Sequence, residues 1–237
     1  MVTNESGLAG LSPGAREAGC LQVEVQMKRL LVLGAGGQIA RWVIEMLAKR
    51  DDVKLTLFLR HAKKLKNAPK NSKVLQGDVL HKEQLHPAIA GQDIVYANLT
   101  GSDIDRQARA IVEGMDAAGL KRLLFVASLG IYDEVPGKFG EWNRHEIGAY
   151  LPPFRRAADA IEASGLDYTI LRPAWLTDED EVDYETTERN EPFKGTEVSR
   201  KSVADLIVKL IDSPKRLVRG NLGVNKPNTD GDKPAFL

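Results

Sequence analysis

Four apolar residues, Leu30-Leu31-Val32-Leu33, run directly into Gly34-Ala35-Gly36-Gly37-Gln38-Ile39-Ala40. A short, wholly apolar run suits a strand buried on both faces. After the glycines, Ile39, Trp42, Val43, Met46 and Leu47 recur at helical spacing. A glycine turn joining strand to helix permits a tight bend and a close approach of backbone to phosphate. The helix N-terminus adds unpaired N–H groups and a partial positive charge, both suited to an anion. Gly34, Gly36, Gly37, Gln38 and Ile39 are therefore candidates to hold a dinucleotide pyrophosphate, with Ala40 small enough for close helix–strand packing. The competing reading, a glycine-rich turn without a ligand, is weakened by the position of the turn after a first strand.

The rest of the chain repeats that alternation. Strands are expected at 53–59, 73–75, 93–97, 122–127, 168–171 and, short, at 221–224. Helices are expected at 104–118, closed by Gly119, at 153–163, closed by Gly165, and at 198–211, stopped by Ser213-Pro214. Strands alternating with helices pair in parallel through right-handed crossovers. The expectation is an α/β chain: a Rossmann doubly wound parallel sheet, order 3-2-1-4-5-6, with helices on both faces. One domain spans 27–237. Residues 1–26, broken by Gly7, Gly10, Pro13, Gly14 and Gly19, read as a disordered leader or tag.

The second strand decides between dinucleotides. Its end is where an NAD-binding chain carries an acid to grip the ribose hydroxyls. Here Arg60 stands there, followed by His61, Lys63 and Lys64. An acid would repel a 2′-phosphate, whereas arginine stacks on adenine and forms charge-assisted hydrogen bonds to phosphate. The cofactor expected is NADP, with NAD as the alternative. The rival reading, a basic helix start facing water, puts cations where a helix dipole disfavours them. Asp78 and Val79, after the third strand, suit the adenine ring, although Asp78 reads equally as a helix N-cap. Asn98, Thr100 and Gly101 end the fourth strand, on the edge where open α/β sheets bind ligands.

Charge and composition remove other classes. Lys plus Arg and Asp plus Glu number 33 each, so net charge is zero and no bulk attraction to nucleic acid or an anionic membrane exists. The single Cys20 allows no internal disulfide, and His61, His81, His86 and His145 lack the company of a metal site. No apolar run reaches the roughly 18 residues of a membrane span. The expectations are no metal, no nucleic acid, no membrane, a cytoplasmic location, and a monomer or homodimer acting on a small-molecule acceptor. The acidic stretch 178–191 has two readings, a solvated loop or a mobile lid over a substrate pocket.

Four segments in order carry a family resemblance: Gly34-Ala35-Gly36-Gly37, Gly77-Asp78-Val79, Ser128-Leu129-Gly130-Ile131-Tyr132, and 164–173, which reads Ser-Gly-Leu-Asp-Tyr-Thr-Ile-Leu-Arg-Pro. Over 28–225 the chain resembles the atypical short-chain dehydrogenase/reductases with a simple NAD(P)H-binding domain. That group is similar to NmrA-like regulators and biliverdin-reductase-B-like flavin reductases. The resemblance implies a small C-terminal substrate region, Ser128 beside the nicotinamide, and Pro173, Ala174 and Trp175 along its carboxamide side.

Catalytic members of the wider family carry a tyrosine followed four residues later by lysine, whose charge lowers the hydroxyl pKa for proton transfer. This chain departs from that pattern. Tyr150 is followed four residues later by Phe154. Counting back from Asp159 and Ser164-Gly165 puts Arg155 in the lysine slot and Leu151 in the tyrosine slot. Arginine can hold ribose hydroxyls or phosphate but does not give up its proton. Tyr132, four residues after Ser128, is a substitute donor or merely a loop aromatic. The catalytic candidates are thus Ser128, Tyr132, Tyr150 and Arg155. Two functions remain. One is an NADPH-dependent oxidoreductase reducing a quinone or flavin-like ring, between 128–142 and 175–193. The other is a non-catalytic NADP(H) sensor that binds a protein partner. An epimerase of nucleotide sugars ranks last, because little chain follows residue 173.

Overall fold

The computed structural model describes residues 27–65 and 67–237, and the leader expected at 1–26 lies outside the described residues. The first strand, β1 (Lys28–Leu33), leads through the glycine turn into α1 (Gln38–Leu47). There follow β2 (Val53–Leu59), β3 (Ser72–Gln76), α2 (Lys82–Ile89), β4 (Ile94–Ala97) and α3 (Ile104–Ala117). Next come β5 (Arg122–Val126), α4 (Gly137–Ile147), α5 (Leu151–Glu162) and β6 (Asp167–Pro173). The chain ends with β7 (Trp175–Thr177), β8 (Glu185–Thr187), β9 (Glu197–Ser199), α6 (Arg200–Asp212) and β10 (Gly220–Asn225).

The main sheet has the order β3-β2-β1-β4-β5-β6-β10-β8. All its neighbours pair in parallel except β10 with β8. The expected doubly wound order is present, extended by two strands at one edge. Burial explains the apolar runs. Leu30 and Val32 of β1 enter the core under α1 and α6, while Leu31 and Leu33 enter the core under α2, α3 and α5. A strand covered on both faces has no polar side to alternate with.

Several elements differ from expectation. Helix α2 contains Pro87 and α4 contains Gly140, and both carry charged residues that blur the apolar period. The helix expected from 198 begins at Arg200, because 197–199 pairs with β7 in a separate two-stranded sheet. Ser199 caps α6, its side chain accepting from the Ser202 N–H at 3.0 Å. The stretch 178–191 is mostly exposed loop, as the first of its two readings had it, with β8 at its middle. Three of its acids are ion-paired: Asp178 with Arg200 at 2.9 Å, Asp180 with Lys201, and Glu181 with Lys226 at 2.8 Å. Those partners lie on α6 and just after β10.

Candidate functional site

The carboxyl ends of β1 to β4 open on a cavity of about 370 Å³. It is lined by Gly34, Gly36 and Gly37 of the first turn, Arg60 and His61 after β2, Gly77, Asp78 and Val79 after β3, and Asn98 and Thr100 after β4. These come from four sequence segments read separately, and the sheet brings them to one crevice. Asp103 and Gln107 complete the wall. Sequence reading missed both, although Gly101, with φ of +130°, marks the bend that presents them. Gln107 donates to the Thr100 carbonyl at 3.3 Å and to Asp103 at 2.7 Å.

The turn is built for close approach. Gly34 has φ of +76°, and a Cβ there would overlap the Asn98 carbonyl oxygen. Its N–H donates to the Phe58 carbonyl at 2.9 Å, and the Gly37 N–H returns to the Gly34 carbonyl at 2.9 Å. A Cβ on Gly37 would overlap the Asn98 side-chain amide, whereas one on Gly36 would meet only Leu59 Cδ1, at 3.5 Å. No side chain caps α1, and its first turn has no acid. Gln38 is exposed and the Ile39 side chain is buried in the core, and neither is among the residues lining the cavity.

Arg60 and His61 are exposed, and neither makes a side-chain hydrogen bond or ion pair among the described residues. Asp78 accepts from the Leu80 N–H at 3.0 Å, and its own N–H donates to Gln84 at 2.8 Å. The N-cap of α2 is His81, so Asp78 shapes the turn before the helix rather than capping it. An uncapped helix start, an open face at Gly36 and an unpaired arginine fit a ligand carrying several phosphates.

Beyond β5 the chemistry changes. Ser128 follows the strand, with its hydroxyl donating to the Leu129 carbonyl at 3.1 Å. The loop after it is clamped by Glu134, which accepts from the Gly130 N–H at 3.0 Å and the Tyr132 N–H at 2.9 Å. Glu134 is ion-paired with Arg172, and their side chains are 4% and 0% exposed. Arg172 also donates to Asn221 at 2.8 Å, and Asn221 donates at 2.8 Å to both the Tyr132 hydroxyl and Glu162. Glu134, Arg172, Glu162, Arg189 and Asn221 were given no role from sequence. The available signal was Arg172 itself, a charge inside an apolar strand, which demands a buried partner.

The proton-transfer candidates do not gather at the crevice. Burial, then the Glu162 charge, pushes the Tyr132 hydroxyl up to about 12. Its ring lies 4.1 Å from the Arg189 guanidinium and 4.6 Å from that of Arg155. Arg155 donates to Asp159 at 2.8 Å, and with Tyr132, Arg189 and Glu191 it lines a second cavity of about 500 Å³. Tyr150 is 63% exposed at the start of α5, and Leu151 is buried. Pro173 ends β6, and the Ala174 N–H donates to the Val224 carbonyl at 2.9 Å. Trp175 donates to Asn143 at 2.9 Å and packs 4.7 Å from Trp142. No cluster of three or more metal-type ligands occurs among the described residues, and none of their helices is long and apolar enough to cross a membrane.

Comparison with known proteins agrees with this geometry. The family model described as NAD(P)H-binding matches residues 34–214. A Rossmann-fold NAD(P)-binding family protein from Shigella flexneri is 57% identical, with a TM-score of 0.78, covering 90% of this chain and 100% of that one. A short-chain dehydrogenase/reductase from Veillonella parvula, solved in complex with NADP, is 27% identical with a TM-score of 0.80 over 88% of this chain and 99% of that one. A Bacillus subtilis protein, described as an uncharacterized sugar epimerase, is 27% identical over 87% of this chain and 96% of its own length.

Proposed function

The chain belongs to the NAD(P)H-binding family, and from that premise we propose that it is an NADPH-dependent oxidoreductase reducing a small quinone or flavin-like acceptor. One observation carries the choice of cofactor: the crevice meets the end of β2 at Arg60, which is unpaired among the described residues, and the sequence places no carboxylate at that strand end. The glycine turn and the start of α1 hold the pyrophosphate. Arg60 holds the 2′-phosphate, Asp78 and Val79 flank the adenine, and Asn98 and Thr100 continue the wall towards Ser128. The complexed Veillonella parvula relative supports NADP as a ligand of this architecture.

When bound, the nicotinamide supplies hydride. The state of the candidate hydroxyls supports this acceptor class. The Tyr132 hydroxyl is half-buried in a hydrogen-bonded network and pushed up to about 12, so it is a weak proton donor. Tyr150 stands in solvent, and Arg155 is engaged with Asp159 and cannot relay a proton. A quinone or flavin ring accepts hydride and takes its proton from water, so positioning suffices. A simple ketone needs an acid at its oxygen. The same absence counts against sugar epimerisation.

The test is steady-state NADPH oxidation with a quinone, a flavin and a simple ketone. Quinone or flavin reduction should exceed ketone reduction and change less than tenfold in Tyr150→Phe. Strong ketone reduction abolished by that substitution would identify an ordinary tyrosine-dependent reductase. The second reading, a sensor of NADP(H) that binds a protein partner, is favoured by the same engaged hydroxyls. It predicts tight NADPH binding with no oxidation by any acceptor.

A further inference from the structure

His61 lines the dinucleotide crevice directly beside Arg60. It precedes a short 3₁₀ turn (Ala62–Lys64) without capping it. It is exposed and has no hydrogen bond or ion pair among the described residues. The charged groups around it divide by element. From its own segment come Arg60 and Lys63, from the turn after β3 comes Asp78, and from the start of α3 comes Asp103. Asp78 is already drawn to the Leu80 N–H, and Asp103 to Gln107. The imidazole therefore sits on the cationic lip of the crevice, next to the side chain assigned to the 2′-phosphate.

We infer that His61 is a second, titratable ligand of the adenosine 2′-phosphate, so that affinity for NADPH, and not for NADH, depends on pH. This rests on the reading that the crevice takes the phosphorylated dinucleotide. An imidazole beside a phosphate dianion keeps its proton to higher pH than in the free protein, because the opposite charge favours the charged form. The sign follows. The extra affinity is present while the imidazole carries its proton and is lost as rising pH removes it. The phosphate loses its own second proton near pH 6, which weakens binding on the acid side. NADPH affinity therefore falls towards both ends of the pH range, and its alkaline limb belongs to His61.

The experiment is titration of the full chain with NADPH and with NADH between pH 5.5 and 8.5, for the unmodified protein and His61→Gln. The NADPH dissociation constant should rise about tenfold from pH 6.5 to 8.5, while the NADH constant stays within about twofold, since only the former carries the phosphate charge. His61→Gln should flatten the alkaline limb, and an unaltered melting temperature reports that the variant is folded. A flat NADPH profile above pH 6.5, or a limb that survives His61→Gln, overturns the inference while leaving the phosphate site standing. Equal affinity for the two dinucleotides at every pH would overturn the phosphate site itself, and this inference with it.

Discussion

The crevice over β1 to β4 and the network beyond β5 treat charge in opposite ways. At the crevice, Arg60 and His61 are exposed and unpaired among the described residues, and α1 is uncapped. Beyond β5, Arg172 is matched to Glu134, Arg189 to Glu162 and Arg155 to Asp159. Solvent explains the extreme case, Arg172, whereas Arg189 and Arg155, with side chains 38% and 44% exposed, are paired at the surface. A cation at a wet rim keeps its hydration until an anion arrives, so leaving it unpaired costs little. A guanidinium at 0% exposure has lost that hydration and needs a fixed partner. One region is prepared for a ligand that brings its own charge, and the other has closed its account internally to fix the shape of a loop.

That contrast can be broken in order of expected effect. Glu134→Ala strands the buried Arg172 charge and frees the Gly130 and Tyr132 N–H groups. It should cost about 3–5 kcal/mol of unfolding free energy in urea. A loss below about 1 kcal/mol would show that the pair is not truly desolvated. Arg60→Asp should leave stability nearly unchanged but remove about 1.5–3 kcal/mol of preference for NADPH over NADH. Retention of the full preference would remove Arg60 from the phosphate site. Gly36→Ala adds a methyl that the fold tolerates and a pyrophosphate does not. Both dinucleotides should bind about tenfold more weakly, about 1.4 kcal/mol, with an unaltered melting temperature. Unchanged binding would move the pyrophosphate off the turn. The smallest effect concerns Tyr96, fully buried on β4 with a hydroxyl that has no partner among the described residues. Burial alone pushes that hydroxyl up. Tyr96→Phe should be neutral or stabilising by about 1 kcal/mol, raising the melting temperature by up to about 2–4 °C. A marked loss in thermal unfolding would reveal a partner for the hydroxyl.

The same contrast explains what could be read in advance. The first strand, the glycine turn and Arg60 form one short local motif, and the sheet order follows from strands alternating with helices. The crevice was therefore readable segment by segment. The network was not, because its members come from the β5–α4 loop, α5, β6, the stretch after β8, and β10. No local spacing joins Glu134 to Arg172 or Tyr132 to Asn221. Helices α2 and α4 escaped because Pro87 and Gly140 interrupt their pattern. The acids of 178–191 are largely solvated, as read, but the ion pairs of Asp178, Asp180 and Glu181 were not readable because their cations lie on α6 and just after β10.

Asn98 touches the glycine turn in two unlike ways. At Gly37 the obstacle is its side chain, and at Gly34 it is its carbonyl oxygen. Every residue type carries that carbonyl, but only some carry the amide. In genetic terms, the larger obstacle to a methyl at position 37 is one that a shorter residue at 98 removes, leaving the Gly34 carbonyl at 3.2 Å, whereas the obstacle at 34 is one that no residue at 98 removes. Selection for a folded chain after random mutagenesis would recover changes at 37 only together with changes at 98, and would hold 34 invariant.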